Sequence, residues 1–269
     1  MRSQDPCRAA WVPDIMASAV APRPEADQSA AGEAIRVDTS SLGKDAVGWW
    51  ASPEPQTWPE VKWDYDRAEF LADGAVHALG VTLSVAGVLS LVVQASGRSP
   101  LAQTAAVLIY GAGLLTVLCL SATYNLWPIS PAKWLLRRFD HAAIYLLIAS
   151  TYTPFLIHVT DPACSQLLVG IWTTACAGMV LKLACPGRFD RLAILLYLGL
   201  GWSGLIAYER VVASLPPATI WLLAVGGVLY SAGVIFHLWE TLRFHNAIWH
   251  AFVLAAAACH FCAVCSLSG

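Results

Sequence analysis

Long apolar segments dominate the chain from residue 74 onward. Seven of them contain no Asp, Glu, Lys or Arg and are long enough for a helix to cross a hydrocarbon core of about 30 Å, namely 74–94, 101–124, 141–159, 164–181, 192–208, 218–239 and 247–267. Each is continuously apolar and lacks the alternation that the strands of a membrane barrel require. The pattern therefore predicts an all-α integral membrane protein, a seven-transmembrane helix bundle.

Composition supports this class and excludes others. Only 13% of the residues are charged and 57% are hydrophobic, whereas soluble domains carry roughly 25% charged residues. This balance excludes a water-soluble enzyme. The formal net charge of −2 argues against electrostatic binding of nucleic acid, so membrane lipids are the expected partners.

The charged residues divide the chain into three parts. Residues 1–60 are rich in Ala, Pro, Ser and charge, which predicts a disordered cytoplasmic tail. Residues 61–73 include Trp63 and Tyr65, and aromatic residues just before a span favour an interfacial juxtamembrane segment. An ordinary Trp-rich linker is the alternative for this segment. Residues 74–269 form the predicted seven-helix membrane domain.

The distribution of positive charge predicts the orientation of the spans. With seven crossings, the N-terminal segment and the loops after the second, fourth and sixth spans lie on one side of the membrane. Of the 16 Lys and Arg residues, all but Arg98 and Arg210 fall on that side. Because loops rich in Lys and Arg stay in the cytoplasm, the N-terminus is predicted to be cytoplasmic and the C-terminus outside.

Polar residues near the span ends form four groups with a common depth. Most follow a spacing of four, which places side chains on one face of a helix; the groups are Glu69, Asp73 and His77, then Ser121 and Asn125, then Asp140 and His141, and finally Asn246 and His250. All four groups fall at the predicted cytoplasmic ends of their spans. Polar groups at membrane depth are costly and often functional, so the sequence predicts a shared polar site there.

Three kinds of occupant remain open for this polar site: a metal ion, a lipid headgroup or a water cluster. The candidate metal donors are His77, Asp140, His141 and His250, since zinc prefers imidazole nitrogen and carboxylate oxygen. Asn125 and Asn246 are poor zinc ligands but good hydrogen-bonding groups. For each histidine taken singly, an interhelical hydrogen bond is the alternative.

Several segments of the chain resemble a known family. They are Glu69–His77, Arg137–Tyr145, Thr151–Phe155, Gly226–Tyr230 and Asn246–His250. Together they are similar, in order and over about residues 67–267, to the hemolysin III family, the bacterial branch of the progestin and adiponectin receptor superfamily. The resemblance implies seven helices, a cytoplasmic N-terminus and a multi-pass location in the bacterial inner membrane.

The resemblance also implies a zinc site near the cytoplasmic face. In the superfamily its ligands are a His that ends a Ser-x-x-x-His motif on the second helix and two His of a His-x-x-x-His motif on the seventh, assisted by an Asp on the third. By position, His250 is carried over as a metal ligand, and Ser121 and Asp140 as catalytic residues. Asn125 and Asn246 stand where the other two ligands would be, so we expect a degenerate zinc site.

The sequence leaves three functions open. In the first, the chain is a lipid-responsive or membrane-organising protein with a degenerate metal site. In the second, it is a metal-dependent lipid amide hydrolase similar to the related membrane ceramidases, which would use His77, Asp140, His141 and His250. In the third, it perturbs membranes, as the family name implies, although no amphipathic pore-lining helix supports that activity.

Overall fold

The computed structural model describes residues 65–95, 100–185 and 190–268, and all regular structure in these ranges is helical. The elements in chain order are α1 (Arg67–Ala95), α2 (Leu101–Leu126), α3 (Pro131–His158), α4 (Pro162–Ala184), α5 (Asp190–Gly201), a 3₁₀ turn (Ser203–Ala207), α6 (Tyr208–Ser214), α7 (Pro217–Leu238) and α8 (His245–Ser268). The predicted tail and Trp63 lie outside the described residues.

Local capping signals explain where the helices begin. Asp66 accepts hydrogen bonds from the backbone N–H groups of Ala68 and Glu69, while Glu69 accepts one from the N–H of Asp66. This reciprocal capping box starts α1 at Arg67, so that the first two turns of the helix lie within the predicted juxtamembrane segment. Ser130 before Pro131 caps α3 with a single bond, since its side chain accepts from the N–H of Lys133.

Six helical stretches in the described residues are long and apolar enough to cross a membrane, namely Arg67–Ala95, Leu101–Leu126, Pro162–Ala184, Asp190–Ser214, Pro217–Leu238 and His245–Leu267. The prediction of an all-α membrane protein is thereby confirmed. Helix α3 is too polar to join this set, although it is 28 residues long. Its polar residues are tolerable because α3 packs against α2, α4, α5 and α8. Asp140, Ser150 and Thr153 are all buried there.

The predicted fifth span is longer than expected and is interrupted. The sequence predicted a continuous segment over 192–208, whereas the structure has α5, the 3₁₀ turn and α6 in succession. The break frees backbone groups, and the Tyr152 hydroxyl of α3 donates to the carbonyl of Gly201 and accepts from the N–H of Gly204. Irregular backbone within a membrane is tolerated where neighbouring helices satisfy it in this way.

Close helix contacts depend on small residues at particular positions. A Cβ added to Gly113 of α2 would clash with the Ser150 side chain of α3, and one added to Gly226 of α7 would clash with the His260 ring of α8. Contacts of this kind are typical of membrane helices, in which small residues allow the backbones to approach closely. Among the described residues, a Cβ at Gly199 would meet nothing within 4 Å.

Helix order brings one set of termini together at one end of the bundle. Helix α1 lies between α2 and α8, which places the start of α1, the end of α2 and the start of α8 side by side. The predicted polar groups on these three helices therefore converge.

Candidate functional site

Polar contacts join successive turns at the beginning of α1 to residues at the beginning of α8. We call this set of contacts the α1–α8 clasp; its residues are Asp66, Glu69 and Asp73 on one side and Arg243, Phe244, Asn246 and His250 on the other.

The outer half of the clasp is an exposed ion pair followed by a capping bond. Arg243 Nη2 lies 3.0 Å from Asp66 Oδ2, and the two side chains are 66% and 48% exposed. Hydrogen bonds from the Glu69 N–H and from Arg243 hold the pKa of Asp66 below its ordinary value. Glu69 Oε1 then accepts the backbone N–H of Phe244 at 3.0 Å. Phe244 has a φ of 62°, a conformation that costs a non-glycine residue about 1–2 kcal/mol, and this bond helps to hold it.

The inner half of the clasp is centred on Asp73. Its Oδ1 lies 2.6 Å from His250 Nδ1, and its Oδ2 accepts the Asn246 side-chain amide at 3.0 Å. Both oxygens of this buried carboxylate are therefore used by α8, one turn apart. A buried carboxylate needs such partners, because its charge is otherwise too costly to remove from water.

Asp73, His77 and His250 form a group that could hold a metal ion. One donor atom from each residue lies within 4.8 Å of the other two. The two imidazole rings are 4.3 Å apart between centroids and tilted by 53°, and His77 Nε2 is 3.6 Å from Asp73 Oδ2. Their exposed fractions are only 7%, 5% and 9%. The group combines two imidazoles with one carboxylate, a donor set typical of zinc sites that keep an open position.

The family's own zinc positions do not fit a metal in this chain. Asn246 donates its amide to Asn125 Oδ1 at 3.1 Å, and Asn125 donates in turn to the backbone oxygen of Ser121 at 2.9 Å. Both residues are thus part of a hydrogen-bonded amide chain. Amide oxygen is a weak ligand for zinc, and here the Asn125 oxygen already accepts a hydrogen bond.

The two predicted catalytic residues lie beside this amide chain. Ser121 is buried at the end of α2, close to the buried carboxyl group of Asp140 on α3. Asn125 Nδ2 also lies 3.4 Å from the Ser121 hydroxyl oxygen, so Ser121 is linked to the clasp through Asn125 and Asn246. Their catalytic roles stay predictions.

The remaining predicted donor, His141, does not join the group. Its carbonyl accepts the Tyr197 hydroxyl of α5 at 2.8 Å, and its charged neighbours include Arg137, Lys182 and Asp190. Arg137 Nη2 and Lys182 Nζ both contact Asp190. His141 thus belongs to a second polar cluster between α3, α4 and α5. His250 lies in the group that could hold a metal ion, and its role as a metal ligand stays a prediction.

The sequence reasoning missed Asp73 as a donor. It placed Asp73 on the same helix face as His77 but counted only histidines and Asp140 as candidate ligands. The spacing of four residues between Asp73 and His77 was the available signal. What the spacing could not show is that this face of α1 meets α8 at His250.

A small opening leads to the clasp from the end of the bundle. It is lined by Tyr65, Glu69, Phe70, Asp73, Asn125, Phe244, Asn246 and Ala247 and holds about 10 Å³, about what a single water molecule needs. Nearby, Lys133 Nζ donates to the carbonyls of Asn125 and Trp127 at 3.1 and 2.8 Å, and thereby stabilises the end of α2.

Comparison with known proteins agrees with the resemblance seen in the motifs. A family model described as "Haemolysin-III related" matches residues 69–261. The chain is 37% identical to a hemolysin-3 homolog of Bacillus subtilis (strain 168), over 72% of this chain and 91% of the relative. It is also 37% identical to hemolysin-3 of Bacillus cereus, over 72% and 89% of the two chains.

A more distant relative links the chain to the wider superfamily. It is 31% identical over 58% of its length to the monocyte to macrophage differentiation factor of Homo sapiens, of which 67% is covered. Together with the apolar helices, these matches establish a multi-pass protein of the cell membrane. The chain belongs to the haemolysin-III related family, and its human relative is consistent with the progestin and adiponectin receptor superfamily.

Proposed function

We propose that this chain is a lipid-responsive membrane protein in which anionic headgroups act on the α1–α8 clasp. The observation that carries the proposal is the exposed Arg243–Asp66 pair at 3.0 Å, which is the outermost contact of a chain of polar bonds leading to the buried Asp73. A lipid phosphate competes with Asp66 for the Arg243 guanidinium, because arginine binds phosphate and carboxylate with the same geometry.

The proposal includes seven crossings, with the clasp at the cytoplasmic face. The Lys and Arg asymmetry supports this orientation. Helix α3 supplies the seventh crossing, since its 28 residues span about 42 Å at 1.5 Å per residue. In this orientation the clasp lies at headgroup depth on the side where anionic lipids attract basic residues.

The expected response is a loosening of the clasp. Once Arg243 binds a phosphate, Asp66 loses its partner and the strained Phe244 depends on Glu69 alone. The ends of α1 and α8 then separate more readily, and the small opening lined by Tyr65, Phe70 and Phe244 widens.

Hydrogen exchange in reconstituted vesicles tests the response. Protein in phosphatidylcholine vesicles is compared with protein in vesicles that also contain phosphatidylglycerol. We expect faster amide exchange over 66–77 and 243–250 in the anionic membrane and the same exchange rates elsewhere in both membranes.

Arg243→Gln should remove the difference. Arg210→Gln is the matched control, since Arg210 forms a similarly exposed pair with Asp161 at the opposite end of the bundle. Equal exchange in both membranes, or an effect abolished by Arg210→Gln, refutes the proposal.

A lipid amide hydrolase is the second candidate, favoured by the proximity of the buried Ser121 and Asp140 beside the clasp. The small size of the opening counts against it in the described conformation. Mass spectrometry of ceramide incubated with the same vesicles tests this activity. Fatty acid release that depends on Asp140 and Ser121 would replace a purely responsive role by catalysis. Release of an entrapped dye would instead support the membrane-perturbing activity suggested by the names of the relatives.

A further inference from the structure

An unpartnered nitrogen points to a ligand inside the clasp. His77 Nε2 is buried and has no hydrogen-bond partner among the described residues, and the His77 side chain is only 4% exposed. Buried polar atoms nearly always have a partner, so an orphan of this kind requires an explanation. Its nearest acidic group is Asp73 Oδ2 at 3.6 Å, which is too far for a direct hydrogen bond.

The distance from this nitrogen to Asp73 fits two ligands of one metal ion better than it fits a direct hydrogen bond. Zinc binds nitrogen and oxygen at about 2.0–2.2 Å, which puts the ligand atoms of a tetrahedral site about 3.3–3.6 Å apart. The His77–Asp73 separation of 3.6 Å already meets that spacing. His250 Nδ1 and Asp73 Oδ1, at 2.6 Å, share a proton instead, and a movement of about 1 Å would bring them to ligand spacing.

We propose that Asp73, His77 and His250 form a divalent cation site for zinc, shifted from the family position toward α1. In this site α1 supplies two ligands and α8 one, whereas the family pattern takes its ligands from α2 and α8. Asn125 and Asn246 take no part as ligands. Asn246 instead donates a hydrogen bond to Asp73 Oδ2 and positions the carboxylate, as partners of metal ligands commonly do.

The donor set limits the kind of cation. Two imidazoles disfavour magnesium and calcium, which prefer oxygen ligands. One carboxylate and no thiolate disfavour copper(I). Zinc accepts this set, and cobalt(II), which replaces zinc with similar geometry, provides a visible spectroscopic probe.

The inference deepens the proposed function, on which it rests, by naming what the responsive site holds. Its test measures metal directly and needs neither lipid exchange nor hydrolysis. If the protein responds to lipid but binds no metal, the proposed function stands and this inference fails. If it binds metal but does not respond to lipid, the metal site stands and the proposed function fails.

The experiment uses the full chain purified in detergent and freed of metal with a chelator. Cobalt(II) and then zinc are added, and binding is followed by visible absorption and by isothermal titration calorimetry. We expect one equivalent per chain, with zinc displacing cobalt. Asp73→Asn, His77→Gln and His250→Gln should each weaken binding at least tenfold. Asp73→Asn keeps the size and a hydrogen-bond acceptor, so it remains informative if a histidine variant fails to fold.

Two control variants separate this site from its alternatives. His260→Gln changes another buried histidine of α8, which hydrogen-bonds the Leu223 carbonyl, and should leave the stoichiometry unchanged. Asn125→Ala removes the family-position amide and should leave one equivalent of metal bound. Absence of cobalt binding by the wild type, or full binding by both Asp73→Asn and His77→Gln, overturns the inference. Loss of binding with Asn125→Ala assigns the ion to the family position and also overturns it.

Discussion

Asn246 donates its side-chain amide to Asn125 Oδ1 at 3.1 Å, so the two residues at the family's ligand positions bond to each other. The contact shows that these positions still converge in space, although neither side chain is a good ligand. The two positions that the resemblance assigns to zinc ligands are therefore in contact, but both side chains are amides. The next prediction follows directly from this contact.

Changing both asparagines to histidine should rebuild the family zinc site. In Asn125→His plus Asn246→His, two imidazoles join His250 at the convergence point, because each new ring takes the place of an amide already in contact. Zinc binding should then become independent of His77. Zinc retained after dialysis against a chelator is the measurement, made on the double variant with and without His77→Gln.

Two further variants check that prediction. Adding His250→Gln to the double variant should abolish the retained zinc, whereas adding His260→Gln should not, since His260 lies ten residues further along α8. If the double variant with His77→Gln retains no zinc, the two positions do not converge closely enough to share an ion.

Asp73 should contribute more to stability than any exposed charge of the bundle. Asp73→Ala removes the partner of His250 Nδ1 and one of the two acceptors of the Asn246 amide. In this buried setting the change should lower the free energy of unfolding by about 1–3 kcal/mol. Asp73→Asn should cost less, because one acceptor oxygen remains. Thermal unfolding in detergent, with metal removed, measures both. Arg210→Ala is the comparison, since an exposed ion pair contributes about 1 kcal/mol or less. Equal losses for Asp73→Ala and Arg210→Ala would contradict a central role for Asp73.

Much of the fold could be predicted from the apolar pattern, because membrane helices must be long and continuously apolar. The pattern located every long helix, including α3, whose buried Asp140, Ser150 and Thr153 make it the most polar of them. It did not predict the break between Gly201 and Ser203. The hydroxyl that bonds the freed backbone groups belongs to Tyr152 of a distant helix, so this contact is not visible in the local apolar pattern.

The candidate site was predicted only as a set of residues at one depth. Spacing within a helix placed Asp73 with His77 and Asn246 with His250, since residues four apart share a face. Which of His77 and His141 reaches His250 depends on the lateral order and rotation of the helices. The structure brings α1 against α8 and places His141 among Arg137, Lys182 and Asp190, and neither relationship is encoded in local periodicity.

The Tyr152 hydroxyl should hold the interrupted helix together. Tyr152→Phe removes the acceptor for the Gly204 N–H and the donor to the Gly201 carbonyl, so we expect a loss of about 1–3 kcal/mol and faster hydrogen exchange over residues 201–207. Tyr208→Phe is the control, because Tyr208 is 56% exposed and should change neither quantity. Unchanged exchange in Tyr152→Phe would show that the break is stable without this bond.

The orientation and the crossing of α3 can be tested together with reporter fusions that are active only in the cytoplasm. Fusions after Trp127 and after Thr160 differ only by α3, and fusions after Glu240 and after Gly269 differ only by α8. The concentration of Lys and Arg on one side predicts activity after Trp127 and Glu240 and none after Thr160 and Gly269. If α3 did not cross, Trp127 and Thr160 would report the same side, because no other helix lies between them.

Helix α3 meets few lipids once it is surrounded by α2, α4, α5 and α8, so its polarity should not prevent its insertion. Activity after both Thr160 and Trp127 would therefore remove one crossing and reverse the predicted side of every later loop.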